Sequence, residues 1–250
     1  MVLKLVSAQT TAPIIQAKMQ PFFERYPFAA LSEQDKQTLH ELEHEIDQLR
    51  KADMDNGYMM RGLLRALEGN IRETQECFNV ALNNGRLSSV WLGNYHTALI
   101  HLGQYRLAND LLNQHYRSSN DPAFIKNCAK QAASLFNITV SRYCQEQGQK
   151  IQQSVETLPD FMFNNERYPS DVLNTLNLLA LEYLYQHQAA ATAYHHEEED
   201  GDLFITYAIP KMEHDAFWDL DLEMNRYLNR IAIEQNLDNR NIVLGLEQEA

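Results

Sequence analysis

The sequence predicts a mainly α-helical protein in which a helical-repeat array precedes a small acidic α/β domain. Two small turns, Gly69-Asn70 and Gly103-Gln104, lie 34 residues apart, and the residues around them recur at the same interval. A fixed interval of about 34 residues with a turn inside each unit is typical of stacked helix–turn–helix repeats. The last third of the chain differs, because it mixes strand-like and helical segments and carries the acidic charge.

The repeat is clearest over residues 55–88 and 89–122, where Thr74 in the first unit matches Ala108 in the second. A third, degraded unit is expected to reach residue 157, with Asn137 where a turn glycine would stand. The repeat domain is therefore predicted over residues 31–157. Its repeat helices are expected at residues 57–68, 71–83, 89–102, 105–116, 122–136 and 139–156.

The residues before the first repeat predict a helix and an irregular lead-in. Ser32 and Asp35 form a capping box at a helix start. The helix is expected to end near Lys51, and its apolar face contains Leu39, Leu42, Ile46 and Leu49. Prolines at positions 13, 21 and 27 predict an irregular lead-in over residues 1–30, with a short helix around residues 13–24.

Residues 160–250 predict a small α/β domain. Leu203–Ile209 and Asn241–Leu246 are rich in β-branched and other apolar residues, which indicates strands. Because a helix long enough for a crossover separates them, we expect the two strands to be parallel. Two strands alone are marginal, so a third from residues 191–199, a partner or a second copy should complete the sheet. The helices are expected from a cap at Ser170 or Asp171 to about His187, and over residues 214–236.

The acidic charge of the chain is confined to its last third. Residues 1–159 contain 16 Lys/Arg and 16 Asp/Glu, whereas residues 160–250 contain 5 Lys/Arg and 18 Asp/Glu. The whole net charge of −13 therefore belongs to the predicted α/β domain. Such a surface repels nucleic acid and anionic membranes and attracts basic partners. The alternative explanation is solubility alone.

The composition favours the cytoplasm. The sequence has no run of about 18 apolar residues, so we expect no membrane span. The first apolar stretch contains Lys4, so we expect no secretory signal. Three scattered cysteines, Cys77, Cys128 and Cys144, do not form a disulfide framework.

The two clear units resemble the tetratricopeptide repeat family. The matching residues of the first unit are Tyr58, Gly62, Gly69, Thr74, Phe78 and Ala81. Those of the second unit are Leu92, Tyr95, Gly103, Tyr105, Ala108 and Leu112. The chain departs from the family pattern at His96 and His115, which replace small residues.

The resemblance implies a concave groove lined by the first helix of each unit. The residues carried over to this groove are Asn56, Met59, Leu63, Ala66, Val90, Gly93, Thr97, Ile100 and His101. An apolar groove of this kind receives a helix or an extended peptide. The implied function is a protein-binding adaptor or chaperone-like scaffold. The alternative is that the N-terminal lead-in or the acidic region already fills the groove.

A second candidate surface is an acidic ridge on the last predicted helix. Asp215, Asp219 and Glu223 recur every four residues and so share one helix face. Like charges at this spacing destabilise a helix slightly, which suggests a basic partner. The corresponding function is an acidic neutraliser, an antitoxin-like or immunity-like inhibitor of a basic protein. The alternative is a tolerated surface ridge.

One short motif could carry hydrolytic chemistry. His40, Glu41 and His44 match H-E-x-x-H, in which two histidines bind zinc and the glutamate activates water. The apolar residues of the same helix face the other way, and no third ligand follows at motif spacing. A solvated helix face is the favoured interpretation, and a zinc-dependent hydrolase is a third hypothesis.

The segment His195-His196-Glu197-Glu198-Glu199-Asp200 holds the densest set of metal-ligand side chains. Consecutive residues of an extended chain point to opposite sides, so they rarely meet at one ion. We interpret the segment as an acidic solvated loop. The sequence therefore predicts no catalytic residue, metal or cofactor. It predicts an interaction protein that could form a homodimer.

Overall fold

The predicted fold class is confirmed by the computed structural model, which describes residues 8–25, 27–84, 87–155, 157–159, 162–163, 167–191 and 193–249. Within this described part the chain forms ten helices and a three-stranded sheet near the C-terminus. The helices of the first 150 residues are α1 (Ala8–Phe23), α2 (Glu33–Ala52), α3 (Met54–Leu67), α4 (Ile71–Asn84), α5 (Ser89–His101), α6 (Tyr105–His115), α7 (Pro122–Ser134) and α8 (Ile138–Lys150). The remaining elements are α9 (Ser170–Gln186), β1 (Ala193–Glu199), β2 (Asp202–Ile209), α10 (His214–Glu234) and β3 (Ile242–Gln248).

The chain divides into two compact units, Met1–Gln104 and Tyr105–Ala250. Unit 1 contains α1 to α5, and unit 2 contains α6 to α10 and the sheet. Helix α6 contacts α7 and α9, which accounts for its place in unit 2. The division lies at the turn of the second predicted repeat, and the predicted limits at residues 31–157 and 160–250 stay a prediction. Residue 160 itself lies outside the described residues.

Helix α1 corrects the prediction of an irregular lead-in. It runs for 16 residues with Pro13 and Pro21 inside it. Each interior proline removes one backbone hydrogen bond and costs about 3 kcal/mol. Burial of a large apolar side chain contributes about 1.5–3 kcal/mol. The helix buries one face, formed by Ala12, Ile15, Met19 and Phe22. This burial offsets the cost of the prolines, which a local sequence pattern does not reveal.

Helix α2 begins as the sequence predicts. The Ser32 hydroxyl accepts the Asp35 N–H at 3.1 Å, and the Asp35 carboxylate accepts the Ser32 N–H at 2.9 Å. These two bonds satisfy donors that a helix start leaves unpaired. The predicted apolar face is buried at Leu39, Leu42, Ile46 and Leu49.

In both clear repeats, the two helices are joined by a turn that contains a left-handed residue. Gly69 has φ +76° and Gly103 has φ +66°, as expected of turn glycines. In the third pair the left-handed residue is Phe136, with φ +51°, and not Asn137. The interval therefore shortens from 34 to 33 residues, and Asn137 takes the place that Asn70 has in the first pair. The prediction that Asn137 replaces a turn glycine was wrong by one position.

Asn137 instead joins α8 to α6 in unit 2. Its Oδ1 accepts the Val140 N–H at 3.0 Å and so caps α8. Its Nδ2 donates to Asn109 Oδ1 at 2.8 Å and to Asn113 Oδ1 at 2.9 Å, both on α6. Asn174 of α9 donates to the Leu135 carbonyl at 2.8 Å, beside the same turn. Because Asn137 is 4% exposed, these bonds replace hydration that the side chain lost on folding.

The sheet confirms the strand predictions and corrects one loop. Strand β2 pairs in parallel with β3 across helix α10, as predicted, and antiparallel with β1. Residues 195–199, interpreted as a solvated loop, belong to strand β1. Their pairing with the apolar strand β2 outweighs the low strand propensity of three consecutive glutamates. Leu203, Ile205 and Tyr207 of β2 are fully buried, and Tyr207 donates to Asn177 of α9 at 2.9 Å.

Two helix boundaries also differ from prediction. Helix α8 ends at Lys150 and not at residue 156, because Gln152 takes a left-handed conformation with φ +55°. Helix α9 is capped by Pro169, which offers no side-chain hydrogen bond, and not by Ser170 or Asp171.

Replacing Asn137 with glycine tests its assignment as a buried cap. We expect Asn137→Gly to lower the free energy of unfolding by about 2–4 kcal/mol, because a cap bond and two buried side-chain bonds are lost. The matched change Asn70→Gly removes only a cap bond to Glu73, at 3.1 Å on the surface. It should cost a few tenths of a kcal/mol. Urea unfolding followed by circular dichroism measures both, and equal losses would contradict the assignment.

Candidate partner-binding surfaces

The predicted groove residues of the first repeat, residues 55–88, are mostly buried. Met59, Leu63 and Ala66 are 6%, 3% and 1% exposed. Asn56 is half-buried and donates its side-chain N–H to Asp53 at 2.7 Å, inside the cap of α3. These residues present no open groove in this structure. Partner binding by them stays a prediction, and it would require other parts of unit 1 to move away.

Helix α1 contacts one of the residues that the resemblance assigns to the groove. It contacts both α2 and α3. Gln16 donates to Asn94 of α5 at 3.0 Å, and the Phe23 ring meets the His101 ring edge-on at 5.0 Å. His101 is itself a predicted groove residue, and burial lowers its pKa. The geometry agrees with the alternative that the N-terminal segment fills the groove.

The predicted groove residues of α5 are less covered. Val90 is 52% exposed, and Thr97 is also exposed. Gly93 and Ile100 are half-buried. Val90 and Thr97 lie seven residues apart and so share one side of α5. They offer a small open surface beside α1.

The acidic ridge of α10 is exposed along its length. Asp215, Asp219 and Glu223 all face solvent. Glu223 is paired with Arg226 at 2.9 Å, and Asp215 is 3.5 Å from His214. Asp219 makes no hydrogen bond or ion pair with the described residues. Asp215 lies in the first turn, where the helix dipole favours an acid, but Asp219 lies beyond the range of that effect.

Large apolar side chains lie beside this ridge. Trp218 is 56% exposed and Leu222 is 48% exposed, and they are one turn apart. Trp218 Nε1 donates to His214 Nε2 at 3.0 Å, which fixes the orientation of the indole. Ile233, further along the same side of α10, is 81% exposed. We call the set Asp215, Trp218, Asp219, Leu222 and Glu223 the α10 face.

The opposite side of α10 holds the helix rigidly. Phe217, Met224 and Leu228 are buried, and α10 contacts α9 and β3. Asp221 accepts the Leu246 N–H of β3 at 3.0 Å, and burial raises the pKa of this carboxyl group. The α10 face is therefore presented by a packed helix and not by a loop. The spacing of the acids predicted the acidic ridge, whereas the exposure of Trp218 and Leu222 was not predicted.

The other candidate ligand residues do not converge. His40, Glu41 and His44 are exposed, and Glu41 accepts a hydrogen bond from Gln37 at 2.9 Å. His195 points outward and lies 2.9 Å from Glu247. His196 points inward, with its ring 6.3 Å from that of Phe136. Over the described ranges, no three His, Cys, Asp or Glu side chains are arranged to hold a metal ion.

The three cysteines are buried and free. Burial raises the pKa of Cys77, and it raises the pKa values of Cys128 and Cys144 to about 12. These groups are therefore thiols at neutral pH, whereas a nucleophilic cysteine acts as the thiolate. They pack as small apolar side chains.

Comparisons with protein-family models, with curated proteins and with solved structures find no match. Among the described residues, no helix is both long and apolar enough to cross a membrane. What the protein does is therefore inferred from its own residues.

Fluorescence can test the exposure of Trp218, because the chain has two tryptophans and Trp91 is 4% exposed. We expect Trp218→Phe to move the emission to shorter wavelength and to lower quenching by acrylamide, since only the buried indole remains. Trp91→Phe is the matched control and should have the opposite effect. A Trp218→Phe protein that is quenched as strongly as the parent would show that the α10 face is covered.

Proposed function

We propose that the protein is a non-enzymatic interaction protein that binds a basic partner on the α10 face. One observation carries the proposal: exposed Trp218 and Leu222 lie beside Asp215 and Asp219 on a single rigid helix. Apolar and acidic groups offer different contributions to binding. An exposed aromatic residue with an aliphatic neighbour is a typical anchor of an interface. The acids accelerate encounter with a basic surface and fix its orientation.

The spacing of the acids defines the partner more closely. Residues four apart on a helix are separated by about 6 Å along its axis. A partner helix with Lys or Arg every fourth residue would present cations at the same interval, next to an apolar stripe. A basic amphipathic helix laid against another helix buries that stripe. We therefore expect a basic amphipathic helix as the bound element.

This proposal corresponds to the acidic neutraliser hypothesis and names its surface. The net charge of −13 supports it, since residues 160–250 carry all of that excess. The concave-groove adaptor remains a second proposal, which requires α1 to leave α3 and α5. Membership of the tetratricopeptide repeat family, a cytoplasmic location and a homodimer remain proposals as well. The left-handed turns at Gly69 and Gly103 support membership of the tetratricopeptide repeat family.

Binding of a synthetic peptide tests the proposal. The probe is an 18-residue amphipathic peptide made of lysine and leucine at helical spacing, with a peptide of scrambled order as its reference. We expect the ordered peptide to bind and to shift the Trp218 emission to shorter wavelength. The double change Asp215→Asn with Asp219→Asn should weaken binding about threefold to tenfold at low salt, because two exposed charge pairs are lost. Fluorescence titration measures the dissociation constants.

The control removes the same charge from another part of unit 2. Glu197→Gln with Glu199→Gln changes two exposed carboxylates on β1 and should leave binding nearly unchanged. Leu222→Ala should weaken binding about tenfold even at high salt, since an apolar anchor is not screened. Equal effects of the two double variants would mean that total charge, and not the α10 face, attracts the peptide.

A further inference from the structure

Unit 1 contains a cleft with three guanidinium groups. It has a volume of about 510 Å³ and lies among the C-terminal end of α2, helix α3 and helix α4. Its charged lining includes Arg50, Arg61 and Arg72, together with Glu73 and Glu76. Its volume falls within the range of about 300–1,000 Å³ that is common for small-molecule sites. The cleft shares no residue with the α10 face.

Two of these arginines have unused hydrogen-bond donors. A guanidinium group offers five N–H donors. Arg61 is 27% exposed at its side chain, and among the described residues its one hydrogen bond goes to Asp47 Oδ1, at 3.5 Å. Arg50 lies 3.4 Å from the same oxygen and stacks over the Tyr58 ring at 5.5 Å. Two guanidinium groups therefore share one carboxylate, at distances longer than the 2.7–2.9 Å of a strong ion pair.

Arg65 shows what a structural arginine looks like on the same helix. Its side chain is 12% exposed and pairs with Glu43, with Glu68 and, at 3.0 Å, with Glu73. Arg72 at the rim of the cleft is likewise paired, with Glu76 at 2.9 Å. Glu76 is thus neutralised by Arg72, whereas Glu73 shares Arg65 with Glu43 and Glu68. Arg50 and Arg61 have one carboxylate, that of Asp47, between them, so one of their two positive charges is unbalanced.

We propose that this cleft binds a phosphate monoester, with Arg50 and Arg61 as its ligands for the phosphate group. A phosphate dianion has enough acceptor oxygens to bond both guanidinium groups, each through two N–H donors. A monocarboxylate would satisfy one group and leave the other unpaired. Because the cleft is much larger than a free phosphate ion, the organic part of the ligand fits beside Tyr58 and Val80.

Isothermal titration calorimetry with simple probes tests the site. The probes are inorganic phosphate, phenyl phosphate and acetate at pH 7.5 and constant ionic strength, where the two phosphates are mostly dianions. We expect phenyl phosphate to bind more tightly than inorganic phosphate, because its ring contacts the side wall of the cleft. Acetate should bind most weakly. Equal binding of acetate and the phosphates, or no binding of phenyl phosphate, would overturn the proposal.

Variants locate the binding. Arg61→Gln should weaken phenyl phosphate binding about tenfold, because it removes bonds between charged groups. Arg50→Gln should act similarly, which keeps the test decisive if one variant folds poorly by circular dichroism. Arg61→Lys should recover only part of the affinity, since an ammonium group lacks the paired donors. Arg240→Gln removes an exposed arginine in unit 2 and should change nothing. Loss of affinity in that control equal to the loss in Arg61→Gln would assign binding to overall charge.

Discussion

The left-handed residue at the helix ends is the constraint on which the arrangement of helices depends. Six described helices end in this way, at Gly69, Gly103, Phe136, Gln152, Gln188 and Asn236. In each case the next N–H bonds a carbonyl five residues back, with N···O distances of 2.8–2.9 Å. This motif satisfies carbonyls that a helix end would otherwise leave unpaired, and after Gly69, Gly103 and Phe136 the next helix begins within two residues. Where each helix stops therefore decides which faces of the following helix can be buried.

This constraint explains how much of the fold could be predicted. Glycine adopts the left-handed conformation at little cost, so Gly69 and Gly103 revealed two turns and their interval. Phe136 adopts the same conformation at a cost that its burial offsets, since it is 0% exposed. Nothing in the local sequence indicates this turn. Helix α1 was predicted too short for a related reason. Its stability comes from contact with α2, α3 and α5, whereas the local signal was two prolines.

The candidate sites divide in the same way between local and long-range information. The acids of α10 could be found from spacing alone, because Asp215, Asp219 and Glu223 follow the helix period. The exposure of Trp218 was not predicted, although Trp218 lies three residues after Asp215 and therefore on the same side of the helix. The Arg50–Arg61 cleft could not be predicted from the sequence. Its lining comes from three helices, and its character depends on which carboxylates each arginine reaches in the folded chain.

Unpaired charge is a better guide to function here than total charge. Arg65 pairs with three carboxylates and Asp221 accepts a backbone N–H of β3, so contacts inside the protein account for both. Asp219 is unpaired but exposed, and water solvates it at little cost, so it supports binding only together with Trp218 and Leu222. Arg61 is 27% exposed and has one long contact, to an Asp47 carboxylate oxygen that it shares with Arg50, and a partly buried charge that is poorly compensated lowers stability. An anion that occupies the cleft would remove this cost, which makes Arg61 the strongest single sign of a ligand in the chain.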